Sequence, residues 1–148
     1  MLSHIRCGAE LPGACVIGGE DADFGNYCCT GREYFVTEAC EFKRSFLFLK
    51  SEIAVILNTE LDHTDCYRTR EELLAAYRQF AHAARHVVVN ADDDEAQKIP
   101  HTLSFGLYAG NVRSERLVSD GERYRVPVSE QGLPCLPDVL HTVGSTLV

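Results

Sequence analysis

Ile53-Ala54-Val55-Ile56-Leu57, then Thr69-Arg70-Glu71-Glu72-Leu73-Leu74-Ala75-Ala76-Tyr77-Arg78-Gln79-Phe80-Ala81-His82-Ala83-Ala84, then His86-Val87-Val88-Val89: this succession decides the fold. The first and last runs are apolar and rich in β-branched residues, without polar alternation, which predicts strands buried on both faces of a parallel sheet. In the middle run, Thr69 is a good N-cap and Glu72 completes a capping box three residues later. Leu73, Ala76, Tyr77, Phe80, Ala81 and Ala84 then recur at helical spacing and form one apolar face. Strand, helix and strand in that order predict a right-handed crossover between parallel neighbours.

Working outward, Tyr34-Phe35-Val36-Thr37 reads as another strand and Ala14 to Ile17 as a short one. Residues 18–33, rich in Gly and Asp, read as loop, and residues 1–13 as a helix end stopped by Gly8 and by Pro12-Gly13. Asp92 to Lys98 is expected to form a second short helix. Leu117 to Val126 reads as an antiparallel hairpin turning at Asp120-Gly121, and the segment from Gln131 on has a loop-like order. The expectation is therefore an α/β fold, a mostly parallel sheet flanked by helices over residues 1–106, with a small antiparallel hairpin appendage over 107–130.

The chain has 148 residues, enough for one domain, and a formal net charge of −8 from 14 Lys and Arg against 22 Asp and Glu. That balance excludes a nucleic-acid binder, which needs a basic surface for phosphates. It leaves nucleotide binding open, because a divalent metal can supply positive charge locally. The longest apolar runs fall far short of the ~20 residues that a membrane span requires. No signal peptide is recognised at the start, so the seven cysteines are expected to be reduced thiols in the cytoplasm. A zinc site is the alternative for them; there is no C-x-x-C pair, and His63 with Cys66 is the nearest ligand spacing. No G-x-x-x-x-G-K-[ST], G-x-G-x-x-G or G-x-S-x-G motif occurs. Cys40, between Glu38 and Glu41, lacks the electropositive setting of a cysteine nucleophile.

In open parallel sheets, ligands bind at the carboxyl ends of the strands. Glu38 directly follows one apolar strand, and His63 comes soon after another. A carboxylate and a neutral imidazole suit a catalytic divalent ion, with Mg²⁺ or Mn²⁺ preferred where carboxylates and phosphates dominate. Each also has a plain structural reading, the Glu as a solvated charge and the His as a hydrogen-bonded residue. Asp62 and Asp65 equally suit the positive N-terminal end of the following helix.

Two segments carry a resemblance. Tyr34-Phe35-Val36-Thr37-Glu38-Ala39-Cys40-Glu41-Phe42-Lys43-Arg44-Ser45-Phe46-Leu47 and Ile53-Ala54-Val55-Ile56-Leu57-Asn58-Thr59-Glu60-Leu61-Asp62-His63-Thr64-Asp65 closely resemble the central domain of the Mur ligases. Ile17-Gly18-Gly19-Glu20, the helix Glu71 to Ala84, and Val89-Asn90-Ala91-Asp92-Asp93 fit in order, so the likeness spans about residues 14–106. The E-A-[CD]-E…S-F form is most similar to the branch that joins L-alanine to UDP-N-acetylmuramate; a cell-wall peptide recycling branch is the close variant. The resemblance implies an ATP-dependent carboxylate–amine ligase of peptidoglycan synthesis that uses Mg²⁺ and passes through an acyl phosphate. It implies Glu38 and His63 as catalytic metal ligands, Asn58 and Asp62 as residues that shape the loop or orient His63, and Glu41 and Ser45 as substrate contacts.

The departures from the family pattern are part of the expectation. The family's P-loop lies just upstream of the region matched by Met1 to Gly8, and its C-terminal domain has no counterpart here. Leu140-His141-Thr142-Val143-Gly144-Ser145 is the nearest match to G-x-H-N-x-x-N and lacks both asparagines. Residues 70–84 contain no lysine, so the carbamylated lysine of several branches has no counterpart. The chain is expected to be a central-domain piece, inactive without its own N- and C-terminal domains. The alternative is a non-catalytic Mur-like interaction module.

Overall fold

A computed structural model describes residues 12–61 and 64–114, together with the backbone of four further strands. The chain divides into two units, Met1–Cys40 and Glu41–Val148.

The first unit is a three-stranded mixed sheet in the order β2-β1-β3, formed by β1 (Gly13–Asp21), β2 (Gly25–Cys29) and β3 (Tyr34–Thr37). β1 runs antiparallel to β2, with Cys15 opposite Cys28, and parallel to β3, with Val16 opposite Thr37. The Gly- and Asp-rich stretch expected to be loop is thus largely a β-hairpin. Its corner is built by Asp21, whose Oδ1 accepts the Asp23 N–H at 2.9 Å, and by Gly25 at φ +68°. That is local turn chemistry rather than an apolar pattern. Residues 1–11, where a helix end is expected, lie outside the described residues.

The second unit contains a five-stranded sheet in the order β10-β7-β6-β5-β4. Its strands are β4 (Ile53–Ile56), β5 (His86–Asn90), β6 (Leu103–Gly106), β7 (Val112–Ser114) and β10 (Val128–Glu130). β4 to β7 are parallel, and β10 joins antiparallel at the edge. The crossover from β4 to β5 is the helix α1 (Arg70–Ala83), as its periodicity predicts. Thr69 Oγ1 accepts the Glu72 N–H, and Glu72 reaches back to the N–H of Arg68, one residue earlier than in the standard box. Leu74 joins Leu73, Ala76, Phe80 and Ala81 as buried residues, which widens the apolar stripe.

Ile56, Val87 and Val89 pack with Ala81, Ala96 and Ile99 into one core, bordered by Tyr77 and Ala84. Side chains of β4 nevertheless alternate: Ala54 and Ile56 are buried, whereas Ile53 and Val55 are 56% and 44% exposed. The expected burial on both faces holds for one face only. A 3₁₀ turn at Ala96–Lys98 replaces the short helix expected over Asp92 to Lys98.

A separate antiparallel sheet, in the order β11-β9-β8, comprises β8 (Val118–Ser119), β9 (Arg123–Val126) and β11 (Val139–Thr142). β8 and β9 form the expected hairpin, with Ser119 opposite Tyr124. His141 falls in β11, opposite Tyr124, where loop-like order was expected. Among the described residues, no helix is long and apolar enough to cross a membrane.

Candidate functional site

Glu38 stands at the carboxyl end of β3. Its N–H donates to the Val16 carbonyl of β1 at 3.2 Å, which carries the pairing one step past the strand. The side chain turns onto the same neighbour, where Oε2 accepts the Gly18 N–H at 2.7 Å. A Cβ at position 18 would lie 2.9 Å from that oxygen, so the close approach requires glycine. One carboxylate oxygen is thereby oriented by the backbone, while the residue as a whole stays exposed. A fixed, accessible, hard oxygen donor fits a divalent cation such as Mg²⁺.

The remaining expected site residues belong to the second unit. Asn58 follows β4 and is exposed. Asp62 and His63 lie outside the described residues. Glu41 and Ser45 flank an unusual turn in the 3₁₀ segment Phe42–Phe48, where Lys43 and Arg44 adopt left-handed conformations at φ 51° and 57°. Such backbone persists only where its surroundings over-determine it. Here the Tyr67 hydroxyl donates to the Glu41 carbonyl at 2.8 Å, and the Lys43 N–H donates to Cys66 Sγ at 3.4 Å. The Arg44 guanidinium lies over the Tyr67 ring. Further along, Phe46 is buried against Tyr77 and Phe80 of α1, with ring centroids 5.6 Å and 5.1 Å away.

Sequence reasoning assigned no role to three residues at the carboxyl end of the parallel sheet: Thr59, Asp92 and Asp93. Thr59 is fully buried. Its N–H and its hydroxyl donate to the two oxygens of Asp93, each at 2.8 Å. Asp93 Oδ1 also accepts the N–H groups of Glu95 and Ala96, at 3.0 Å and 2.8 Å. Burial by itself pushes the Asp93 pKa up. The bonds from the Ala96 N–H, from the Thr59 hydroxyl and N–H, and from the Glu95 N–H outweigh burial and hold the pKa below the usual aspartate value.

Asp92 turns to the opposite neighbour. It accepts the N–H of Leu107, of Tyr108 at 3.2 Å and of Ala109 at 3.0 Å, all in the loop after β6. Two consecutive aspartates at the end of β5 thus brace the loops that leave both flanking strands. The visible signal was the acidic run Asp92-Asp93-Asp94 directly after an apolar strand.

Among the described residues, no group of three or more His, Cys, Asp and Glu side chains is arranged to hold a metal ion. Among the described residues, no two cysteines are joined in a disulfide.

Comparison with known proteins bears on what these strand ends serve. Residues 23–133 match the family model of the Mur ligase middle domain. The UDP-N-acetylmuramate–L-alanine ligase of Clostridium novyi (strain NT) is 36% identical over 132 residues, covering 83% of this chain and 29% of that protein. The enzyme of the same name from Clostridium botulinum (strain Eklund 17B / Type B) is 44% identical over 126 residues, covering 79% of this chain and 27% of its own length. In the crystal structure of UDP-N-acetylmuramate-alanine ligase from Thermotoga maritima, the same fold recurs with a TM-score of 0.80 at 19% identity, over 97% of this chain and 33% of that one. The chain therefore spans less than a third of the length of the curated relatives it matches. The family match runs from the turn before β2 through the parallel sheet and takes in Glu38 and the doubly braced strand ends; with relatives 36% and 44% identical, it shows that this chain belongs to the Mur ligase middle domain family.

Proposed function

We propose that this chain supplies the metal-binding end of the middle domain of an ATP-dependent ligase that joins L-alanine to UDP-N-acetylmuramate in the cytoplasm. The Glu38 carboxylate, oriented at the end of β3 by the Gly18 N–H, is the observation that carries the reading. Glu38 and His63 would hold Mg²⁺. Bound there, the ion would neutralise phosphate charge while ATP activates the muramate carboxylate as an acyl phosphate and the alanine amine displaces phosphate.

The chain's own residues have distinct tasks in this reading. Gly18 keeps the Glu38 carboxylate aimed, and Asn58 and Asp62 shape the loop or orient the His63 imidazole. Glu41 and Ser45, on a strained turn held by Tyr67, meet the substrate. With a net charge of −8 and no G-x-x-x-x-G-K-[ST] within these 148 residues, the chain brings no cradle of its own for the ATP phosphates. Turnover in this reading belongs to the full ligase.

The test has two arms. The chain alone is assayed for ATP turnover and for ligation of UDP-N-acetylmuramate to L-alanine; no turnover is expected, and robust activity overturns the assignment of this chain as a part. The intact gene product is then profiled with the same substrates. Formation of the amide with release of ADP and phosphate supports the reading, whereas preference for a cell-wall peptide overturns the branch. Absence of any ligation favours a non-catalytic module.

A further inference from the structure

β4 closes the parallel sheet on one side: in the order β10-β7-β6-β5-β4 it is paired along one edge only, among the described residues. Its pleat decides what the other edge offers. The Glu52 carbonyl accepts the His86 N–H at 2.9 Å, so residue 52 directs its peptide groups at β5. Ala54 and Ile56 follow it by alternation along the parallel register. Ile53 and Val55 therefore direct their N–H and C=O groups at the open edge. The same two residues, with Leu57 next in line, are 56%, 44% and 61% exposed, whereas Ala54 and Ile56 are buried. An edge that combines outward amides with an apolar face is a template for another strand.

The segment is complementary to itself. In an antiparallel pair, opposite residues share a face, and those that exchange hydrogen bonds are the ones with outward amides. Three central registers of β4 against a copy of itself meet both conditions. The one centred on Ala54 sets Ile56 opposite Glu52 and Leu57 opposite Ser51. The one centred on Ile56 sets Ile53 opposite Thr59, which is already engaged with Asp93. The one centred on Val55 sets Val55 opposite itself, Ile53 opposite Leu57 and Ala54 opposite Ile56, so apolar meets apolar throughout. Exposed Lys50 and exposed Glu60 stand at opposite ends of this segment, so antiparallel pairing carries the cation of each copy toward the carboxylate of the other.

We propose that β4 is the contact of a symmetric dimer: two copies of this chain pair antiparallel through Ile53 to Leu57, with Val55 on the twofold axis, and join their sheets edge to edge. One short strand per copy makes an interface below the ~1,200 Å² of standard complexes, so the dimer is transient, with a Kd on the order of 10⁻⁴ M. Pairing uses up both β4 edges and stops at two copies. The proposal uses no part of the metal assignment and stands apart from it.

The test is sedimentation equilibrium of the 148-residue chain under a reducing agent, at concentrations from about tenfold below to tenfold above that Kd. A monomer–dimer equilibrium is expected. Val55→Lys and Val55→Glu each set two like charges face to face on the axis and should weaken association at least about tenfold. Both replace an exposed side chain, so urea midpoints should stay close to that of the parent chain. An equimolar mixture of the two variants sets Lys opposite Glu and should associate again. Amide exchange of the parent chain needs no variant: the Ile53 and Val55 amides should slow as concentration rises, while those of β5 stay unchanged.

A chain that stays monomeric across this range overturns the proposal, and so does growth past two copies. Association that neither variant weakens, or a mixture that does not re-associate, overturns the pairing through Val55. Ile53 and Val55 amides that are already protected in the dilute monomer show that another segment covers the edge, which overturns the dimer as well.

Discussion

The carboxylate of Glu38 rests on the backbone of Gly18: Oε2 takes its N–H at 2.7 Å, in the space that any other residue's Cβ would enter. Gly18 lies on β1 and Glu38 directly follows its parallel neighbour β3, and the site they make depends on a missing side chain as much as on a present one.

Gly18→Ala separates stability from metal binding. The obstructed atom is the far end of a flexible side chain, so it can swing aside cheaply, and alanine is easier than glycine to order in a strand. The unfolding free energy is expected to change by less than about 1 kcal/mol, while Mn²⁺ affinity falls about tenfold as the carboxylate leaves its donor. Urea unfolding and Mn²⁺ titration on the same samples check both halves; an unchanged affinity would contradict the role of the cradle.

Two phenylalanines, two residues apart, should behave oppositely. Phe46 is 2% exposed and touches the rings of Tyr77 and Phe80, whereas Phe48 is 86% exposed. Phe46→Ala is expected to destabilise the chain by about 3–5 kcal/mol through lost burial and a residual cavity. Phe48→Ala should stay within about 0.5 kcal/mol. Equal urea midpoints for the two variants would mean that the turn at 42–48 does not dock on α1 as described.

Asp93 links stability to pH. Its folded pKa lies below the ordinary aspartate value of 3.8, so the folded state favours its ionised form. The resulting stabilisation is present in full at neutral pH. It begins to fade as the pH falls to the unfolded value near 3.8 and is gone once the pH drops below the folded pKa. Asp93→Asn should therefore lose more stability at pH 7 than at pH 3, so the gap between the two chains narrows in acid. Denaturant midpoints of both chains between pH 7 and pH 3 would show it; a gap that stays constant across that range would rule the linkage out.

What could be read in advance followed burial. β4, α1 and β5 announced themselves because Ile56, Val87, Val89 and Ala81 share a core, and sharing a core imposes a period on the sequence. The hairpin β1–β2 did not, because much of β2 is exposed and its pairing is carried by backbone hydrogen bonds that leave no such period. Glu38 was legible as a residue type after a strand, but its dependence on Gly18 was not, since parallel pairing of β1 with β3 joins positions twenty residues apart. Thr59 and Asp93 lie further apart still, and only the register of β4 against β5 makes their meeting visible.

The half-covered strand β4 has a consequence of a colloidal kind. Among the described residues it is the outermost strand of its sheet, and Ile53 and Val55 turn hydrocarbon to water beside an open row of amides. Such a margin is adhesive. A net charge of −8 makes two copies repel only once they come within about the Debye length, roughly 8 Å in physiological salt. Added salt shortens that reach, so the bare strip meets less opposition. How this chain behaves at high concentration and ionic strength is thus decided by a few side chains on one strand.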